Sequence, residues 1–407
     1  MGSGKSTSIL KWCESQPDTP FLYVTPLLSE SEVRVVEACV DSKFTAPSTE
    51  DFKTKGEHLL DLLNTGVNIS ITHALYSSLR KEHLDLIKEN EYVLILDEEV
   101  SFIEPLGEGY TKDDFNYLLH LKQVSIDDTG RLHWLDNNIG DTTKYSKFAN
   151  MCRLGMIYQA KRDEAMLVTQ LPMDLILCAK RVILLTYLFK GSILESFLTI
   201  KGIDVVPFTE VSVQQVRKSD IAKLIEFVGD RQVKDWSAER LSSSWYTNTA
   251  TQKDLNKLGL AIRAVGNSNK ATLKDLLWCT TSTVGRPRMK SMKKVAPRGY
   301  GAGTGAINED GIADGCFLAC NARATNAYRD RSVLVHCYNR FPNPIVVGFL
   351  QDHGATVSVN QYALSELVQW VWRSCIRDGK PIKICILSKR MRKLFQDWLK
   401  EEDVCSQ

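Results

Sequence analysis

The sequence predicts an α/β protein built from two doubly wound parallel-sheet domains, and three observations predict it. Short apolar runs ending in polar or acidic residues alternate with helical stretches. A Gly-Lys-Ser string opens the first helix. The charge also divides by halves: residues 1–205 hold 21 Lys and Arg against 30 Asp and Glu, whereas 206–407 hold 30 against 19. An acidic half followed by a basic one suggests two domains with different partners, the basic one facing a polyanion. With 407 residues, 43% hydrophobic and 25% charged, the chain can bury a sizeable core, which excludes disordered, collagen-like and disulfide-scaffold classes. No apolar run reaches the roughly 18 residues of a membrane span; the longest, near 166–188, is broken by Gln170, Asp174, Lys180 and Arg181. The expectation is a cytoplasmic protein with no membrane partner. Its eleven irregularly spaced cysteines suit free thiols in a reducing compartment.

Taken in order, Gly2-Ser3-Gly4-Lys5-Ser6-Thr7 comes first. In a phosphate-binding loop the glycines let backbone N–H groups curl around phosphates, and the following helix adds its positive end. Lys5 reaches the β- and γ-phosphates of ATP, and the Ser6 hydroxyl binds Mg²⁺. The full pattern has a glycine five residues before Gly4 and a strand before that; both positions precede Met1. The string alone fits a flexible Gly/Ser leader equally well, and the next segments favour the phosphate loop. Phe21-Leu22-Tyr23-Val24-Thr25-Pro26 and Asn68-Ile69-Ser70-Ile71-Thr72-His73 read as buried strands. Tyr92-Val93-Leu94-Ile95-Leu96 is a third, delivering Asp97-Glu98-Glu99 at its tip. There Asp97 is placed to hold Mg²⁺ and Glu98 to polarise the attacking water; a plain core strand with solvated acids is the blander alternative. A fourth strand, Arg181-Val182-Ile183-Leu184-Leu185, leads into Thr186-Tyr187-Leu188-Phe189.

This order of blocks resembles the superfamily 2 helicases, motors of two RecA-like domains with an ATP cleft between them. Residues 2–7 are similar to motif I, 23–26 to motif Ia, and 71–73 to the next nucleic-acid-contacting motif. Asp97-Glu98-Glu99 stands in for the DExx box, and Thr186-Tyr187-Leu188 for the Ser/Thr-Ala-Thr motif. Residues 321–328 sit where motif V falls and 369–377 where motif VI falls. The style is closer to replication helicases of large DNA viruses and phages than to DEAD-box enzymes. The chain departs from the pattern in its missing first glycine, in Tyr187-Leu188, and in a sixth motif without its internal glycine. The resemblance implies nucleic-acid contacts at Thr25, Pro26, Thr72, His73 and Thr325, with single-stranded DNA favoured over RNA and replication proteins as partners.

The second half adds two features of its own. On a helix over 363–377, Leu364, Leu367, Val368, Val371 and Cys375 fall within about 100° of arc. Gln369, Arg373 and Arg377 lie four apart on the opposite side, where a solvated face or a pair of phosphate-binding arginines would present. The resemblance implies Gln369 at the nucleotide and both arginines as fingers. Between Asp275 and Glu309 no acid occurs, and Arg286, Arg288, Lys290, Lys293, Lys294 and Arg298 precede a glycine-rich stretch. A basic loop over 285–312 is expected to contact phosphates, with Tyr300 stacking on a base. Cys316-x-x-x-Cys320 reads as core thiols on a strand rather than half a zinc site.

The domains are expected at 1–208 and 209–407. Val205-Val206 is read as a strand before the junction, and about 105–165 as a helical insertion. The function expected is an ATP-dependent nucleic-acid motor, most simply a DNA helicase. The alternatives are a packaging-type motor, disfavoured by too few acids at strand tips of the second half, or a degenerate helicase fold that only binds DNA.

Overall fold

The apolar runs of the first half pair as a parallel sheet: β1 Phe21–Thr25, β2 Phe44–Thr45, β3 Asn68–Thr72, β4 Val93–Asp97 and, last in the chain, β10 Arg181–Leu185, in the order β10-β4-β1-β3-β2. The computed structural model describes residues 4–28, 30–38, 43–107, 109–135, 144–160, 166–211, 217–237, 239–281, 295, 297–304, 306–322 and 325–401. Alternation along the strands sorts side chains onto two faces. Leu22, Val24, Ile69, Ile71, Leu94 and Leu96 pack with Leu59, Leu63 and Phe197 on one face. Phe21, Tyr23, Val93, Ile95 and Ile183 pack with Ile9, Leu10 and Cys13 on the other. Both faces are covered by helices, which is why these strands are continuously apolar. Local signals set the helix ends: Thr54 caps the helix Lys55–Thr65 by accepting from Glu57 N at 3.1 Å, and Gly66 closes it at φ 70°.

Residues 103–170 depart from the expected helical insertion. They carry β5 Ile103–Pro105, β8 Ile157–Gln159 and β9 Leu167–Gln170 as an antiparallel sheet, and β6 Val124–Ile126 with β7 Leu132–Trp134 as a hairpin. Helices Lys112–His120 and Ser146–Arg153 pack on them. Strands of three or four residues are too short to show a period of two. The hairpin turn does announce itself: Asp127 Oδ1 accepts from Thr129 N and Arg131 N, and Gly130 sits at φ 83° against the Gln159 carbonyl.

The second sheet is also parallel, in the order β11-β14-β13-β12: β11 Ile225–Phe227, β12 Leu276–Cys279, β13 Val333–His336 and β14 Ile382–Ile386. Cys316–Cys320 runs beside β12 without being a full strand, its carbonyl at Cys316 accepting from Trp278 N at 2.7 Å. Arg331, 2% exposed, donates to the carbonyls of Leu273, Ala313 and Gly315 and ties the segments around 273 and 313–315 to the start of β13. Tyr300 is not a free stacking ring. It is 5% exposed, packs against Gly266, and donates to Ala271 O at 2.8 Å.

The chain divides into two units, Lys5–Ser212 with Pro342–Ser358, and Val213–Phe341 with Val359–Gln407 and Met1–Gly4. Residues 342–358, expected in the C-terminal domain, thus belong to the first unit, where Val346, Phe349 and Leu350 of the helix Pro344–Asp352 join the core of one sheet face. An apolar helix face shows that it needs cover and not which sheet supplies it. Val205 and Val206 form no strand and are 44% and 79% exposed, since β-branched residues without a neighbouring ladder have nothing to pair with. The helix expected over 363–377 stops at Val371; it spans Val359–Val371 and is followed by a 3₁₀ turn, Cys375–Asp378. Ser374 explains the stop: its hydroxyl donates to Val371 O at 2.6 Å, competing with helix continuation, and its backbone is extended. Among the described residues no helix is long and apolar enough to cross a membrane.

Candidate phosphate-loop and carboxylate site

The first sheet brings its sequence-flagged residues to one edge. Parallel pairing aligns Thr25 with Thr72, and Leu185 with Asp97, so the C-terminal tips of β1, β3, β4 and β10 lie side by side. Sites in open parallel sheets form beyond those tips. Gly4, at φ 69°, turns the chain into the helix Lys5–Glu14, a conformation that favours glycine.

Asp97 is the centre of the arrangement. Its Oδ2 accepts from Ser6 Oγ at 3.0 Å, from Tyr23 OH at 2.6 Å and from Arg34 Nη2 at 3.2 Å. Its backbone carbonyl accepts from His73 Nε2 at 2.9 Å. Lys5 Nζ donates to Thr186 O at 2.5 Å and stands 5.9 Å from the Tyr187 ring centre. Burial pulls the Lys5 ammonium below its ordinary value, and the Asp97 and Glu98 charges partly offset that pull. Burial, then Asp97, pushes the Tyr23 phenol well above its ordinary value, so it remains a donor. Burial alone would lower the Arg34 guanidinium, but Tyr23, Glu30 and Asp97 outweigh it and hold it above its usual value.

Glu98 has φ 63°, left-handed for a non-glycine residue, and its N–H donates to Leu185 O at 3.0 Å. Such strain persists where surrounding structure over-determines it, and it turns this carboxylate out of the strand direction. Glu99 does something else: its Oε1 accepts from Leu194 N at 2.9 Å, in the first turn of the helix Ile193–Ile200. The three acids therefore separate into a hydrogen-bond hub, a strained carboxylate and a helix cap. The hydroxyl of Ser6 and the carboxylate of Asp97 are hard oxygen donors of the kind a magnesium ion takes, beside a half-buried lysine.

Thr25 is buried at the tip of β1 and Pro26 is half-buried. Thr72 caps the short helix His73–Tyr76, accepting from Leu75 N at 3.3 Å. Thr7 is exposed. Gly2, Ser3, Arg286, Arg288, Lys290, Lys293 and Lys294 lie outside the described residues.

In the second unit, Gln369 donates to Ser365 Oγ at 3.1 Å, Arg373 is only 7% exposed, and Arg377 is exposed with its guanidinium donating to Asn326 Oδ1. The two blocks flagged around 321–328 and 369–377 thus meet through Arg377 and Asn326, while Thr325 Oγ1 accepts from Ala327 N. Cys375 N donates to Arg331 O just before β13, so these arginines sit at the N-terminal edge of the second sheet.

Tyr23 and Arg34 were not expected at the site. Tyr23 is camouflaged as one more apolar strand residue, although it shares a strand face with Thr25. Arg34 carried a signal, being a lone cation in Val33-Arg34-Val35-Val36. Burial pushes the Cys316 thiol up to about 11 and the Cys320 thiol up to about 12, and among the described residues no group of His, Cys, Asp and Glu could hold a metal by itself.

Two α/β units of this order define a helicase-like fold. The apo form of XPD superposes with a TM-score of 0.51 over 98% of this chain and 93% of that one, at 12% identity, and its likeness shows two RecA-like, Rossmann-like domains. Residues 219–399 match the family described as the YonV C-terminal Rossmann-like domain. Over 426 aligned residues the chain is 30% identical to the SPbeta prophage-derived uncharacterized protein YonV of Bacillus subtilis (strain 168), covering 99% of this chain and 97% of that protein. The chain belongs to the YonV family.

Proposed function

We propose that the protein is an ATP-hydrolysing nucleic-acid motor, a DNA helicase working on single-stranded DNA in phage replication. The observation that carries the reading is the convergence of Lys5, Ser6, Asp97 and Glu98 at one sheet edge directly after a left-handed Gly4. Lys5 and the N-terminus of its helix bind the β- and γ-phosphate oxygens of ATP. Ser6 and Asp97 hold Mg²⁺, which when bound neutralises charge on those oxygens. Glu98 orients water and takes its proton as the water attacks the γ-phosphorus and the bond to ADP breaks. Arg373 and Arg377 supply positive charge to the transferred phosphoryl group, with Gln369 beside the nucleotide. Thr25, Pro26, Thr72, His73, Thr325 and the basic residues Arg286, Arg288, Lys290, Lys293 and Lys294 contact the strand.

The test is ATP hydrolysis with and without single-stranded DNA, beside Lys5→Ala and Glu98→Gln. DNA-stimulated turnover that both variants lose by about a hundredfold or more supports the motor. Absent turnover with salt-sensitive DNA binding intact would leave a helicase fold that serves as a binding module.

A further inference from the structure

One guanidinium at the carboxylate site is shared between two acids. Arg34 reaches Asp97 Oδ2 at 3.2 Å through Nη2, while its Nε bonds Glu30, four residues earlier on the π-helical turn Glu30–Arg34. The side chains of Arg34, Glu30 and Asp97 are 35%, 18% and 12% exposed, so the trio sits at the mouth of the site rather than under it. The same Oδ2 already accepts from two neutral hydroxyls, Ser6 and Tyr23. Among the described residues, Arg34 is the cation bonded to that oxygen, beside which a divalent cation would settle. π-turns are uncommon and concentrate at functional sites, where the wider turn re-aims a side chain.

We infer that Arg34 is a place-holder for the divalent cation: it neutralises Asp97 while the metal is absent and withdraws onto Glu30 when the metal arrives. The inference rests on Asp97 being the metal-holding carboxylate of the proposed function. The physical basis is like-charge repulsion at close range. A divalent ion near Ser6 and Asp97 stands within a few ångströms of the guanidinium, in a half-buried setting where salt screens weakly. Glu30 offers the displaced charge a partner without any change of backbone position.

The two partners of this ion pair should therefore act with opposite sign. Arg34→Gln removes the competing charge and tightens Mn²⁺ binding by about three- to tenfold, whereas Glu30→Gln strands the guanidinium on Asp97 and weakens it by about two- to fivefold. Arg34→Lys keeps the charge and stays close to wild type. An ion pair with only a structural task would shift both variants in the same direction.

The experiment is an electron paramagnetic resonance titration of free Mn²⁺ against the full chain, with and without ADP, with thermal unfolding of each variant to confirm an intact fold. Fluorescent ADP binding by wild type and Lys5→Ala is measured alongside. Opposite shifts for Arg34→Gln and Glu30→Gln establish the place-holder. Equal-sign shifts, or none in either variant while wild type binds Mn²⁺, overturn it and leave the proposed function standing. If wild type binds neither Mn²⁺ nor ADP, the phosphate-loop reading falls first, and the place-holder falls with it.

Discussion

The two units share an architecture and differ in what their charged side chains meet. In the first, Ser6, Tyr23 and Arg34 all aim at one carboxylate, and His73 at the carbonyl of the same residue. In the second, Arg340 pairs with the Glu366 carboxylate and the Tyr362 hydroxyl, and two further arginines turn to backbone carbonyls. Arg331 holds three loop carbonyls, and Arg390 donates to Arg340 O, Val359 O and the side chains of Asn339 and Asn360. One arrangement gathers polar side chains around a carboxylate at a sheet edge, and the other staples irregular chain to a sheet, satisfying carbonyls that burial would otherwise leave unpaired. A parallel sheet is therefore a poor guide to chemistry by itself. Convergence of side chains on one another, with a strained residue among them, is the better one.

The comparison breaks most sharply at Arg331. Arg331→Met should destabilise the second unit by about 3–5 kcal/mol, because three buried carbonyls lose their donors at once. Hydrogen exchange should show β12 and β13 losing protection while β1 and β4 keep theirs. Lys5→Met is the counter-case. Lys5 donates to Thr186 O and is pulled below its ordinary pKa by burial, so removing it should leave unfolding unchanged or raise its midpoint slightly. Equal losses in the two variants would erase the distinction between staple and site.

A second difference appears with pH. His336 at the end of β13 is fully enclosed beside Trp370, and burial lowers it from 6.5 to about 3. The unfolded chain takes up a proton below pH 6.5 that the folded unit refuses until about pH 3. Stability of the second unit should then fall as pH drops through that window, by at most about 1.4 kcal/mol per unit. Urea midpoints at pH 7.5 and 5, read on wild type and His336→Leu, check this. The variant should lose that part of the slope.

Much of this was legible because some signals are local. Continuous apolar runs ending in Thr25, Thr72 and Asp97 named the strands of the first sheet, and Gly4 followed by Lys5 and Ser6 named the loop. What the sequence hid were contacts fixed only by tertiary packing. Nothing in Pro344–Asp352 says that its apolar face covers the first unit's sheet. Nothing in the heptad-like spacing of 363–377 reveals that the Ser374 hydroxyl ends the helix before Arg373 can stand beside Gln369 on a shared face. Tyr300 looked like a stacking ring because a glycine-rich neighbourhood reads as open, yet Gly266 exists there to let the ring in. Arg34 was missed for a related reason: a single cation among valines has no period, and its meaning appears only when Asp97 arrives from 63 residues away.

Strain supplies a smaller test. If Glu98 is held at φ 63° for its chemistry, Glu98→Gly should relieve the backbone and stabilise the first unit by about 1 kcal/mol while abolishing ATP turnover. Differential scanning calorimetry beside a phosphate-release assay separates the two effects. A loss of stability would mean that the carboxylate holds structure, as Glu99 does at the helix Ile193–Ile200, and would move Glu98 from the reactive class to the structural one.

The last comparison concerns the two arginines that the sequence paired. Arg373 is enclosed, so Arg373→Ala should cost about 2 kcal/mol through lost packing, whatever its role in turnover. Arg377 is exposed and donates to Asn326 Oδ1 at the surface, so Arg377→Ala should leave the melting temperature where it was. That makes Arg377 the cleaner probe of whether the second unit takes part in phosphoryl transfer. A fall of about tenfold or more in DNA-stimulated ATP turnover, with KM for ATP little changed, is the outcome expected of a charge that acts mainly in the transition state. Full turnover in Arg377→Ala, together with a loss in Arg373→Ala that tracks its lost stability, would instead place both arginines with Arg331 and Arg390 as staples, and the second unit would then hold no group for the chemistry at this end of its sheet.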